Sequence, residues 1–152
     1  WTSGRKKLGE EHRTTLAAAK SLVFALLSQR KFADAAPLLE RQLAAERAGL
    51  GEDHQATLQT RKMLAEALLM SRDYAAAEPH LRELQRGLRT TFGDQHPAAA
   101  STTVTLARCL DQLDRRDDAR AVLRSFLAET ELPKDHANVA AVQAALERFG
   151  QD

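Results

Sequence analysis

A short phrase recurs along this 152-residue chain at a fixed stride. It reads LGEEH at 8–12, LGEDH at 50–54 and FGDQH at 92–96, and a looser copy, LPKDH, follows at 132–136. The first three copies lie 42 residues apart, and the fourth comes 40 residues later. Because strides of roughly 20–50 residues are typical of stacked supersecondary units, this spacing predicts a repeat architecture.

Apolar residues between the phrases keep the same register. Leucine recurs at Leu22, Leu64 and Leu106, one position per stride, where it is expected in the core. Within each stride the apolar residues form two stretches of helical spacing. The pattern predicts an all-α solenoid of stacked antiparallel helix pairs. We expect inner helices near 13–28, 55–70, 97–112 and 137–149, and outer helices near 32–48, 74–90 and 116–130.

Each phrase is interpreted as a turn between two helices. Its glycine follows an outer helix, where a positive φ is wanted and glycine adopts it at little cost. The acidic residues after the glycine favour the positive end of the next helix. Equivalent positions in stacked units lie roughly 10 Å apart, too far to share one metal ion. We therefore interpret His12, His54, His96 and His136 as structural turn residues and predict no metal site.

Four other residues carry separate expectations. Pro37 and Pro79 lie inside the outer-helix pattern, and helices that begin near 33 and 75 would keep both in the permissive first turn. His80 lies outside the phrases and is expected on the exposed surface. The lone Cys109 cannot form an internal disulfide, and we expect it to be a buried apolar filler.

Composition argues against several functional classes. The chain has 22 basic and 21 acidic residues, a net charge of +1, which gives no electrostatic case for nucleic acid or an anionic membrane. Its apolar runs are far shorter than the ~20 residues of a membrane-spanning helix. No glycine-rich phosphate loop, HExxH run or Ser, His and Asp order is present, so we predict neither an enzyme nor a cofactor.

The start of the chain and its single cysteine bear on whether it is part of a longer protein and on its cellular location. The chain begins at Trp1 without an initiator methionine and has no signal-peptide pattern, so we expect a piece of a longer protein. One cysteine suggests a reducing compartment, and a cytoplasmic location is expected.

The chain resembles tetratricopeptide repeats (TPR), in the 42-residue variety of kinesin light chains and many bacterial signalling proteins. The resemblance lies in the LGxxH phrases, in Leu64 and Leu106 each followed by alanine, and in Phe32 and Tyr74 of the outer helices. Arg116 takes that aromatic position in the third unit, which is also two residues short, so looser packing of its outer helix or a different helix angle is expected. The resemblance implies a right-handed superhelix with full units at 8–49, 50–91 and 92–131, the tail of a preceding helix at 1–7, and a partial fourth unit at 132–152.

The resemblance also implies a concave groove, lined by the inner helices, that binds a peptide or a partner domain. Lys20 and Lys62 beside apolar Phe24 and Met70 favour an acidic and apolar partner. Alternatively, these lysines are solvated and bind nothing. Register from the repeat leucine gives these groove residues: Lys20, Phe24, Leu27, Gln59, Lys62, Glu66, Met70, Ser101, Arg108, Asp111 and Arg148, with Glu66 and Asp111 making the charge mixed.

Two further functional readings stay open. The chain would be a regulatory repeat segment if a larger signalling enzyme, such as a bacterial Ser/Thr kinase, contains it. It would be a self-association module if apolar faces at the ends of the array, around Trp1 and Phe149, stack end to end.

Overall fold

The computed structural model describes residues 18–150, and all regular structure within them is helical. The predicted bounds of the second and third inner helices are confirmed, and the first two outer helices run two residues further than predicted. In chain order the helices are α1 (18–28 of the described residues), α2 (Phe32–Leu50), α3 (Gln55–Met70), α4 (Tyr74–Phe92), α5 (Pro97–Gln112), α6 (Arg116–Glu129) and α7 (Ala137–Arg148).

The helices pack as a stack of neighbours. From α2 to α6 each helix contacts the next, and α7 contacts both α5 and α6. One small residue per outer helix, Ala35, Ala77 or Ala119, is fully buried. Because alanine has a short side chain and a high helix propensity, it lets neighbouring helix backbones approach closely without weakening either helix. The predicted all-α solenoid is therefore confirmed.

A residue with positive φ links each inner helix to its outer helix. Arg30, Arg72 and Asp114 have φ values of 59°, 63° and 56°. In the second unit the Asp73 amide donates to the Leu68 carbonyl at 2.9 Å, which closes the end of α3. This left-handed C-terminal turn usually carries glycine. Nothing in the sequence marked it, because arginine and aspartate occupy the position.

The two described phrase glycines adopt the positive φ expected of them. Gly51 ends α2 with φ 97° and ψ 166°, and Gly93 ends α4 with φ 76° and ψ 172°. This combination lies outside the left-handed helical region, in a region that is essentially restricted to glycine. Each glycine amide still donates to a helix carbonyl, Arg47 or Arg89 respectively.

The phrase histidines cap the inner helices. His54 Nδ1 accepts a hydrogen bond from the Ala56 amide at 3.1 Å, and His96 and His136 each make the same bond to the residue two positions later. A neutral imidazole that accepts at Nδ1 carries its proton on Nε2. The interpretation as structural turn residues is confirmed for these three, and His12 lies outside the described residues.

The expectation for the two outer-helix prolines is wrong. Since α2 begins at Phe32 and α4 at Tyr74, Pro37 and Pro79 are the sixth residues of their helices. Each proline lacks the amide that would bond the carbonyl four residues earlier. Both prolines are exposed, so the unpaired carbonyls lie on the solvent side of the helix, where water can bond them.

Leu22 was expected in the core, and this expectation is also wrong. It is 50% exposed, whereas Leu64 and Leu106 at the same repeat position are 0% exposed. Helix α3 has outer helices packed before and after it, α2 and α4, and α5 has α4 and α6. Among the described residues no outer helix precedes α1, so nothing there covers Leu22.

His80 was expected on the exposed surface, and this expectation is wrong as well. Its ring is partly buried, and Nδ1 has no solvent contact and no protein hydrogen-bond partner. The nearby charges are Arg61 of α3 and Glu40 and Arg47 of α2, so the ring lies toward these two helices. Burial, reinforced by Arg61, lowers the pKa of His80 below its ordinary value.

The third outer helix is shorter but not looser. Helix α6 has 14 residues, against 19 in α2 and in α4. Its Ala119, Leu123 and Phe126 are all 0% exposed, contrary to the expectation of loose packing. Arg116, in the place of an aromatic residue, turns away from the core and its Nε donates to Asp111 at 3.0 Å.

Candidate binding groove

Each inner helix exposes side chains along the face that register assigns to the groove. On α3 the exposed residues Gln59, Lys62, Glu66 and Met70 follow each other at helical spacing, so they share one face. Helices α1, α5 and α7 have comparable exposed stripes. We call these exposed stripes of α1, α3, α5 and α7 the inner-helix surface.

The groove residues predicted from register all lie within the described residues. Leu27 and Asp111 are partly buried and the others are exposed. Phe24 is 63% exposed and Met70 is 52% exposed, which is unusual for large apolar side chains. By helix, the predicted residues are Lys20, Phe24 and Leu27 on α1, Gln59, Lys62, Glu66 and Met70 on α3, Ser101, Arg108 and Asp111 on α5, and Arg148 on α7.

Ion pairs change the charge balance of these residues. Lys62 Nζ lies 3.7 Å from Glu66 Oε1, and Asp111 Oδ1 accepts from Arg116 Nε at 3.0 Å. Within residues 18–150, Lys20, Arg108 and Arg148 form no ion pair. The lining is mixed in sequence, but the charges that form no ion pair within residues 18–150 are all basic.

Cavities along the inner-helix surface bring some of these residues together. Lys20, Phe24 and Gln59 line a cavity of about 230 Å³, together with Met63 of α3 and with Gln42 and Glu46 of the outer helix α2. Arg108 lines a second cavity of about 160 Å³ beside Leu69 and Tyr74. Register placed the groove on inner helices alone, so it missed the contribution of Gln42 and Glu46.

The burial expected for Cys109 is confirmed at the edge of that second cavity. The residue is 1% exposed, and its thiol donates to the Tyr74 carbonyl at 3.3 Å. Burial raises the pKa of the Cys109 thiol, so it stays protonated and poorly nucleophilic.

A further cavity lies away from the inner-helix surface. It measures about 810 Å³ and lies between the C-terminal ends of α4 and α6. Its central charge, Arg89, donates to Asp94 at 2.6 Å and to Glu129 at 2.9 Å, and its guanidinium lies 5.4 Å from the Phe126 ring centre. Hydrogen bonds to Asp94 hold the pKa of Arg89 above its ordinary value. The cation is thus fully engaged within the protein.

The outer face of α7 is polar. Gln143 and Glu147 are exposed at the register positions where α5 has Thr103 and Ala107, both 0% exposed. Phe149 is partly buried, and its carbonyl accepts from Arg120 Nε at 2.7 Å. This face therefore lacks the apolar character that end-to-end stacking needs. Trp1 lies outside the described residues, and self-association stays a prediction.

Residues 18–150 offer neither a group of metal ligands nor a membrane-spanning helix. No group of three or more His, Cys, Asp or Glu side chains there could hold a metal ion. None of the helices in that range combines the length and apolar character needed to cross a membrane.

Comparison with known proteins bears on the fold. No family model and no curated protein matches the chain. Nearly identical TPR-like repeats of a Podosopora anserina kinesin light chain superpose with a TM-score of 0.77 at 24% identity, covering 90% of this chain and 65% of that one. BtubC (BKLC) from P. vanneervenii gives 0.62 at 19% identity, covering 85% and 55%. The chain thus spans less than two thirds of either structure, and it has the fold of a TPR-like repeat domain.

Proposed function

We propose that this chain is a non-enzymatic protein-interaction module that binds a peptide or an extended partner segment along the inner-helix surface. Stacked helical repeats present long continuous surfaces, and no isolated reactive centre is needed for such a role. The likeness to TPR-like repeat structures supports the same class of function.

The observation that carries this proposal is the pairing state of the surface charges. Lys20, Arg108 and Arg148 are exposed and unpaired among the described residues, while the acidic residues Glu66 and Asp111 are paired within the protein. An approaching acidic segment therefore meets cations that form no ion pair with any described carboxylate. Exposed Phe24 adds apolar area beside Lys20, and exposed Met70 adds more at the end of α3, so the favoured partner is both acidic and apolar.

A peptide of defined chemistry tests the proposal. Fluorescence anisotropy would measure binding of a short labelled peptide of alternating Glu and Leu, and of a matched peptide with Lys in place of Glu. We expect the acidic peptide to bind more tightly, and its affinity to fall as salt screens the charges. Lys20→Glu and Arg108→Glu should each weaken binding about fivefold, which corresponds to roughly 1 kcal/mol per charge-assisted contact.

The matched control is Arg124→Glu, which makes the same charge change at an exposed position of the outer helix α6. It should leave the affinity unchanged. An equal loss with Arg124→Glu would mean that net charge alone drives binding. Preference for the lysine peptide would overturn the proposal.

A further inference from the structure

The 230 Å³ cavity between α1, α2 and α3 combines an apolar wall with a carboxylate. Val23, Phe24 and Met63 supply the apolar side, and Phe24 is 63% exposed at its mouth. Cavities of about 150 Å³ are known to admit benzene, so this space accommodates one aromatic ring. Here it is called the α1–α3 cavity.

Glu46 is the residue in this lining whose hydrogen bonds are incomplete. Its Oε1 accepts from Gln42 Nε2 at 2.9 Å, and the same Gln42 nitrogen donates to the Thr60 hydroxyl at 3.0 Å. Glu46 Oε2 is shielded from solvent and receives no protein donor. A shielded acceptor without a donor is costly, so a ligand that brings a donor to this carboxylate gains more than one that does not.

We propose that the α1–α3 cavity binds a phenol side chain, as in tyrosine, whose O–H donates to the Glu46 carboxylate while its ring packs against Phe24 and Met63. This inference rests on the proposed function and names the anchor of the partner segment. It makes Glu46, a residue of an outer helix, the one that sets specificity.

Two properties of the cavity and one of the ligand select a phenol. A plain phenyl ring would cover the carboxylate and leave Oε2 without a donor. A cationic side chain would satisfy Glu46 but would meet the ammonium of Lys20, which lines the same cavity. A phenol is neutral and carries its donor at the tip of the ring, the part that enters first. The broad terminal torsion of Glu46 lets either carboxylate oxygen turn toward that donor.

Small side-chain analogues test this directly. The full chain, with isotope-labelled methyl groups, would be titrated with 4-methylphenol, toluene and butylammonium while the Val23 and Met63 methyl resonances are followed by NMR. We expect 4-methylphenol to shift both resonances and to bind about tenfold more tightly than toluene, as a hydrogen bond to a charged acceptor should provide. Equal affinity for toluene, or tightest binding of butylammonium, would overturn the proposal.

A pair of variants assigns the preference to Glu46. Glu46→Gln replaces one acceptor oxygen with an amide donor and should remove the tenfold preference, whereas Glu40→Gln on the exposed side of the same helix should keep it. Loss of the preference in both variants, or in neither, contradicts the assignment. If 4-methylphenol does not bind but the acidic peptide still does, only this inference fails and the proposed function stands.

Discussion

Replacing Leu64 with alanine tests how the repeat leucine stabilises the stack. Leu64 is 0% exposed at the middle of α3, and the substitution removes a branched group of three carbons. At about 0.8 kcal/mol for each buried carbon, the loss of apolar burial alone is about 2.4 kcal/mol. The cavity left behind raises the cost, so the free energy of unfolding should fall by about 2–5 kcal/mol.

Leu22 provides a control at the same repeat position. Its side chain is 50% exposed, so only about half of the burial is lost and no closed cavity forms. Leu22→Ala should therefore lower the free energy of unfolding by only about 1 kcal/mol.

Urea unfolding followed by circular dichroism would compare the two variants with the parent chain. An unchanged slope of the unfolding free energy against urea concentration would show that unfolding exposes the same amount of surface in all three proteins. Equal costs at Leu22 and Leu64 would refute the reasoning, since burial would then not set the cost. A cost below about 1 kcal/mol at Leu64 would refute it too.

Three other predictions concern the turns and a partly buried histidine. His54→Ala should cost about 0.5–2 kcal/mol in urea unfolding because the helix cap is lost, while His54→Asn should cost little; equal costs would contradict a capping role. Arg72→Gly should stabilise the chain by up to about 1 kcal/mol, since glycine adopts the φ of 63° without strain, and a lower urea midpoint would count against it. The pKa of folded His80 lies below its ordinary value of 6.5, so the folded state binds fewer protons than the unfolded state. The stabilisation that the neutral ring gives the folded state is therefore complete above pH 6.5 and is lost as the pH falls through the folded pKa. The free energy of unfolding should thus lose part of its acid dependence in His80→Gln, and identical pH profiles for the two proteins would exclude this role.

Periodicity predicted the fold well because each unit repeats the same packing problem. Buried positions such as Leu64 and Ala77 recur in register, and the bounds of α3 and α5 follow from where that register stops. Leu22 shows the limit of this reasoning. The repeat leucine is buried where outer helices pack on both sides of its helix, as for Leu64 and Leu106. Periodicity alone does not show whether both outer helices pack there.

Local turn chemistry was harder to predict. Histidine is not among the side chains usually preferred as helix caps, so the acidic residues of the phrase seemed the natural partners of the helix ends. In the structure His54 makes the capping bond. The positive φ at Arg72 had no signal at all, since the residue that normally reveals such a turn is glycine.

The repeat register predicted the candidate groove only in part. Lys62 and Glu66 are four residues apart on one helix, a spacing from which an ion pair can be predicted. Asp111 and Arg116 pair across a turn, where helical spacing does not apply. Glu46 enters the α1–α3 cavity from α2, a helix that register assigns to the outer layer. Side chains that reach between layers depend on packing geometry, which sequence spacing does not contain.

Mapping the bound peptide onto the helices would test the central claim most directly. Backbone NMR resonances of the labelled chain would be followed during titration with the acidic Glu–Leu peptide. The proposed function predicts that the affected amides lie along α1, α3 and α5, with the largest shifts near Phe24, Gln59 and Arg108. Shifts confined to the outer helices α2, α4 and α6 would contradict it.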